Sequence, residues 1–262
     1  MRFRLTLAVA AVGVASFVPG AVGQPSSQII SEVDLGHGAG EAWVYLPEGA
    51  PLCAVIFLHG AGDLTPGVYR AWLSYLAIGK ECAVIYPRYQ ATAKVAPLSA
   101  ASLGGVRGGV AAAFAYLRTA RFGLYRDPIP EHFPVVVAGY ASGGVLALYA
   151  AANAKRWGVP VPVAVDSIFP VKGRIPGVPL APLPTATHVL IQAGDRDKAG
   201  GQAAARDLLA SLASHPAGNK RLQVVHSTPG FAAVHNAPKQ ATTTAASIFW
   251  DPLDAFIDAA TG

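Results

Sequence analysis

Three residue types that together make a nucleophile and its base occur in this chain in a fixed order. They are a serine at Ser142, an acid at Asp197 and an imidazole at His235. A serine hydroxyl attacks an acyl carbon when an imidazole takes its proton and an acid holds that imidazole in the right tautomer. The separations of 55 and 38 residues leave room for intervening strands and helices. Ser142 lies in Gly139-Tyr140-Ala141-Ser142-Gly143-Gly144, directly after the apolar run Pro134-Val135-Val136-Val137-Ala138. This reads as a strand breaking sharply into a helix. A Gly-x-Ser-x-Gly pattern at such a break holds its serine on a strained turn at the top of a sheet. Here Ala141 takes the middle position and the serine comes one place later.

Two registers follow from that exchange. In the first, Ala141 occupies the strained turn and Ser142 opens the helix, offering only its backbone N–H to an oxyanion hole. Loss of the nucleophile from such a triad costs on the order of 10⁶ in rate. The remaining His–Asp pair can bind a carbonyl or carboxylate, or activate water at much lower power. In the second, the turn slides by one and Ser142 is the nucleophile. Tyr140 then falls two places before it, where a small residue is favoured, at a strain of ~1–3 kcal/mol. Sterics favour the first register; retention of an acid and a histidine in the right order favours the second.

Two further loops carry the supporting chemistry. His59-Gly60-Ala61-Gly62 follows the apolar run Cys53 to Leu58, and a Gly-rich turn there leaves the Ala61 N–H free to face an oxyanion. Gly194-Asp195-Arg196-Asp197 follows the run His188 to Ala193. His235 sits in a loop from Gly230 to Pro238, between the last strand and the last helix. His37, His132, His188 and His226 read as structural.

The elements that must position these loops alternate. Short strands at Gln28 to Val33 and Glu41 to Leu46 flank a Gly-rich turn and predict a hairpin. Cys53 to Leu58, Cys82 to Tyr86, Val135 to Ala138, Val161 to Val165, His188 to Ala193 and Leu222 to His226 read as further strands. Their continuous apolar runs suit parallel strands buried on both faces. Helical spacing marks Tyr69 to Gly79, Ala100 to Ala120, Gly143 to Ala154, Ala199 to Ala213, and Thr242 to Ala259 with a break at Pro252. Strands alternating with helices predict an α/β, doubly wound, mostly parallel sheet of about eight strands. The Pro- and Gly-rich stretch Ser167 to Pro184 reads either as a pocket mouth or as a plain connection.

On these motifs the chain resembles the α/β-hydrolases, close to small bacterial esterases and dienelactone-hydrolase-like members, from Glu41 to Ala259. Val137 to Gly144 is similar to the family's nucleophile elbow with Ser and Ala exchanged. His59-Gly60 is similar to its oxyanion-loop signature. The resemblance implies Asp197 as the acid rather than Asp195, with Asp166 as a second candidate, and His235 as the imidazole. It implies catalysis by Ser142, Asp197 and His235, with the Ala61 and Ser142 N–H groups forming the oxyanion hole. The substrate would be a carboxylic ester or related acyl compound. In the alternative reading the chain is a pseudohydrolase that binds a small carbonyl ligand or partner, because Ala141 stands at the nucleophile position.

Met1-Arg2-Phe3-Arg4, the apolar run Leu5 to Val18 and Ala21-Val22-Gly23 read as a signal peptide, residues 1–23, cut before Gln24. The apolar run is shorter than the ~20 residues of a membrane helix. Residues 24–262 then form one domain, secreted or periplasmic. Only 13% of residues are charged, and the formal charge of +5 falls to +3 once Arg2 and Arg4 leave, since residues 1–23 carry no acid. No basic cluster with interleaved aromatics points to nucleic acid. Gly104-Gly105-Val106-Arg107-Gly108-Gly109 does not follow a strand, so a nucleotide loop fails its context test. No cofactor or metal is expected. Cys53 and Cys82 each open a strand. An oxidising compartment permits a bridge, but in-register neighbouring strands favour two buried free thiols.

Overall fold

A computed structural model describes residues 31–120, 129 and 133–262. The strands are β1 (Ser31–Leu35), β2 (Ala42–Leu46), β3 (Cys53–Leu58), β4 (Cys82–Pro87), β5 (Val135–Tyr140), β6 (Ala164–Ile168), β7 (His188–Gly194) and β8 (Lys220–Val225). The helices of more than one turn are α1 (Arg70–Gly79), α2 (Ala100–Thr119), α3 (Ser142–Trp157), α4 (Gly201–Ala210) and α5 (Thr243–Thr261). The strands form one eight-stranded sheet in the order β1-β2-β4-β3-β5-β6-β7-β8. The hairpin β1–β2 is antiparallel and joins β4 antiparallel; the strands from β4 to β8 across the sheet are all parallel. The signal peptide expected at residues 1–23, Gln28 to Ile30 of the first strand, and His132 lie outside the described residues.

Strand alternation divides the core between two faces. Ala54, Ile56 and Leu58 of β3 pack with α2, α3 and α4 on one face. Cys53, Val55 and Phe57 pack with α1 and α5 on the other. All six β3 residues are buried, as two covered faces require. The chain runs outward from β3 to β4 in one direction, then returns to β5 on the other side of β3. The C-terminal ends of β3 and β5 therefore flank the reversal point, where open α/β sheets place their ligands.

Five expectations need correction. The strand placed at Val161 to Val165 is β6, three residues later. Pro160 and Pro162 lack the N–H a ladder needs, and Val161 and Val163 are exposed. The final helix is not broken at Pro252, which lies inside a continuous α5. The Ala199 to Ala213 helix is shorter, and β8 begins and ends earlier than expected. Cys53 and Cys82 are not free thiols but a disulfide. They are directly paired across β3 and β4, and their Cα atoms lie 4.7 Å apart, inside the range a bridge spans.

Candidate active site

The turn between β5 and α3 decides the register. Ala141 has φ 55° and ψ −117°, a conformation that L-residues rarely adopt. Its N–H donates to Ile168 O at 3.0 Å, and its carbonyl accepts from Gly144 N at 3.1 Å. The glycines around it make the turn possible. A Cβ on Gly143 would lie 2.0 Å from Leu58 O, and one on Gly139 would lie 2.2 Å from Gly143 O. Strand β3, the turn and α3 thus approach at backbone distance, and the position that protrudes from the bend belongs to Ala141.

Ser142 is the first residue of α3 and is buried. Its Oγ lies 2.9 Å from Tyr89 Oη. Tyr89 in turn donates to His59 O at 2.8 Å. A tyrosine hydroxyl has one proton and a carbonyl only accepts, so Ser142 donates to Tyr89. The serine proton is spent inside the fold on the Tyr89 oxygen.

The acid and the imidazole do meet. His235 Nδ1 lies 3.0 Å from the Asp197 carboxylate. Asp197 also accepts from the backbone N–H groups of Ala199 (2.8 Å) and Gly200 (3.3 Å). Burial pushes its carboxyl up, but the bonds from His235 and the backbone outweigh this and hold it below the usual range. The ionised acid fixes the proton on Nδ1 and leaves Nε2, which bonds to no other group among the described residues, as the free nitrogen. Asp166, the second candidate, is elsewhere. It lies within β6, fully buried, and its two oxygens accept from Gln192 Nε2 at 3.1 and 3.0 Å. Burial pushes its pKa up to about 7, against smaller opposing effects from Gln192 and Arg221. The β6 shift accounts for the difference: Asp166 is mid-strand, with Ser167 and Ile168 still to follow.

Across residues 60–62 of the loop after β3, two of the three amide N–H groups are pinned. Gly60 N–H donates to Tyr69 Oη (3.2 Å), and Gly62 N–H to Gln90 Oε1 (2.9 Å). His59 Nδ1 holds Gly60 O at 2.6 Å. Its ring is stacked 4.0 Å from that of Tyr89, and burial lowers its pKa to about 4, so it is neutral. The Ala61 N–H has no partner among the described residues. The Ser142 N–H, first in α3, likewise has none, as helix N-termini dictate.

Several residues at this site were missed by sequence reasoning. The Tyr140 hydroxyl bonds His235 O at 2.9 Å and lies 3.2 Å from Asn236 Oδ1, while its ring packs against Gly60. Lys239 pairs with Asp63 at 2.7 Å and stands 5.4 Å over the Tyr140 ring. Tyr69 also donates to Asp63, at 2.7 Å. Together these tie the histidine loop to the loop after β3. The one available signal was position: Tyr89 and Gln90 follow β4 at the same end of the sheet. Two surface cavities of about 270 and 420 Å³ lie elsewhere, one beside Lys172 and α4, the other between β8 and α5. Among the described residues no cluster of His, Cys, Asp and Glu suits a metal, and no helix is long and apolar enough to cross a membrane.

No protein-family model matches the sequence, and no curated protein matches it significantly. Solved structures do match in three dimensions. Carboxyl esterase 2 of the mycorrhizal fungus Tuber melanosporum superposes with a TM-score of 0.64 at 17% identity, over 92% of this chain and 89% of that one. An esterase of Pyrococcus furiosus gives 0.61 at 13% identity, over 93% and 99%. A Klebsiella pneumoniae protein described as a dienelactone hydrolase gives 0.59 at 15%, over 87% and 98%. At these identities the likeness is one of fold, and the fold is that of the α/β-hydrolases.

Proposed function

We propose that this chain takes a small ester or related acyl compound into the space between Ala61, Ala141 and His235, without forming an acyl-serine. Ala141 in the strained turn is the observation that carries this reading. The ligand's carbonyl oxygen accepts from the Ala61 and Ser142 N–H groups. His235, oriented by ionised Asp197, faces the carbonyl through Nε2 and can take a proton from water. Any hydrolysis is then direct, and weaker than a full triad would give. The esterase neighbours support an acyl ligand only by analogy of fold.

The retained His235–Asp197 pair favours the competing reading, a serine-type hydrolase. There Ser142 attacks, His235 acts as base and then acid, and Asp197 orients it. This needs Ser142 Oγ to leave Tyr89. A fluorophosphonate probe separates the two. No labelling of the native chain is expected, with slow hydrolysis of p-nitrophenyl butyrate lost in His235→Ala. Labelling that disappears in Ser142→Ala would reverse the choice.

Export is part of the same proposal. The N-terminal pattern of residues 1–23 suggests it, and the Cys53–Cys82 bridge supports an oxidising compartment, secreted or periplasmic.

A further inference from the structure

We propose that Ser142 is a positioning residue: through Tyr89, its hydroxyl braces the loop after β3 so that the Ala61 N–H is aimed into the site. The use of that N–H by a carbonyl ligand rests on the function proposed above; the brace itself does not.

The relay runs across three elements. Ser142 at the start of α3 donates to Tyr89, just beyond β4, and Tyr89 donates to His59 O, just beyond β3, at 2.9 and 2.8 Å. All three residues are buried, Ser142 at 1% exposure and the other two at 0%. The His59–Gly60 peptide is thereby held at both ends, its carbonyl by Tyr89 and its N–H by Tyr69 at 3.2 Å. The next peptide has its carbonyl, Gly60 O, held by His59 Nδ1 at 2.6 Å. An amide is planar and trans, so a pinned carbonyl sends the N–H on its far side the opposite way. That N–H belongs to Ala61. With Gly62 N–H taken by Gln90, Ala61 keeps the loop's one uncommitted donor among residues 60–62.

Removing the serine hydroxyl leaves the Tyr89 oxygen without its donor in a dry interior. Tyr89 then keeps its stacking on His59 but loses one of the two hydrogen bonds that orient its hydroxyl, and the hold on His59 O loosens. The approach of α3 to β3 is set separately by the missing side chain of Gly143, where a Cβ would lie 2.0 Å from Leu58 O. The disturbance is therefore local to residues 59–61.

The test is a backbone amide spectrum of the full, oxidised, ¹⁵N-labelled protein carrying Ser142→Ala, Tyr89→Phe or both. The Ala61 and Gly60 resonances should shift and broaden in each single variant, while those of β5 and α4 stay in place. The double variant should match Tyr89→Phe, because loss of Tyr89 already disconnects Ser142. With p-nitrophenyl butyrate, kcat should fall about tenfold in either single variant, with KM unchanged. An unmoved Ala61 resonance in Ser142→Ala, or effects that add in the double variant, overturns the brace. If Ser142→Ala does not fold, Ser142→Cys, a near-isosteric but much weaker donor, decides by the same resonance. If the native chain turns over no ester, the function proposed above falls, and the Ala61 resonance still decides the brace.

Discussion

Ala141 already holds the strained turn, and on the function proposed above an oxygen added there would face His235. Serine carries a Cβ as alanine does, so Ala141→Ser adds no new backbone strain at φ 55°. It supplies the hydroxyl that the His235–Asp197 pair lacks. The variant should be labelled by a fluorophosphonate, and its ester hydrolysis should rise about 10²-fold or more over the parent. His235→Ala in that background should remove the gain. Absence of both labelling and gain would show that Nε2 does not face the bend. The sequence left the register open: the bulk of Tyr140 favoured Ala141 in the turn, and the retained acid and imidazole favoured Ser142. Chain order brought an acid and His235 into one site, but only the family resemblance chose Asp197 over Asp195 and Asp166. The partner of Ser142 was not legible. Tyr89 lies 53 residues away, and which way a buried hydroxyl points depends on packing that no local pattern encodes.

At the scale of elements, the junction of β5 and α3 tolerates no added atom on its inner side. Gly143→Ala should lower unfolding free energy by about 3 kcal/mol or more, since overpacking against fixed backbone cannot relax cheaply. Gly104, exposed on α2 with nothing within 4 Å of a would-be Cβ, is the control. Gly104→Ala should instead stabilise by roughly 1 kcal/mol through helix propensity. Urea unfolding of the two variants checks both signs, and a mild effect at Gly143 would mean that the elbow is looser than described. Most strands were readable because six of the eight are parallel-type, and five of these are buried at nearly every residue, the edge strand β8 being the exception. β6 was misplaced because Val161 and Val163 look like strand residues, while the real strand contains Asp166 and Ser167, polar residues that burial normally excludes. Pro252 misled for a related reason. A proline forbids one hydrogen bond, and α5 gives up that bond and packs Phe249, Leu253 and Ile257 onto the sheet regardless.

For the whole molecule, the bridge and the buried acid set how stability responds to conditions. The disulfide closes a loop with a sequence separation of 29, worth roughly 3.6 kcal/mol in chain-entropy terms. Reduction should lower the urea midpoint accordingly, and an unchanged midpoint would dismiss the bridge as a stabiliser. Asp166 acts through pH. Its folded pKa is raised to about 7 by burial, against an ordinary value of 3.8. The folded state therefore keeps a proton that the unfolded chain releases. That favours the fold fully below about pH 4, and the advantage is lost as pH rises through about 7. Between those limits unfolding free energy should fall by up to about 1.4 kcal/mol per pH unit from this group alone. Asp197 opposes it, because its lowered pKa contributes stability that is lost on acidification. Comparison with Asp166→Asn separates the two, since Asp197 is common to both proteins. The variant's stability relative to the parent should rise steadily from pH 4.5 to 7.5 in urea titrations and then level off. A difference that does not vary with pH would mean that the Gln192 amide holds Asp166 ionised inside the sheet.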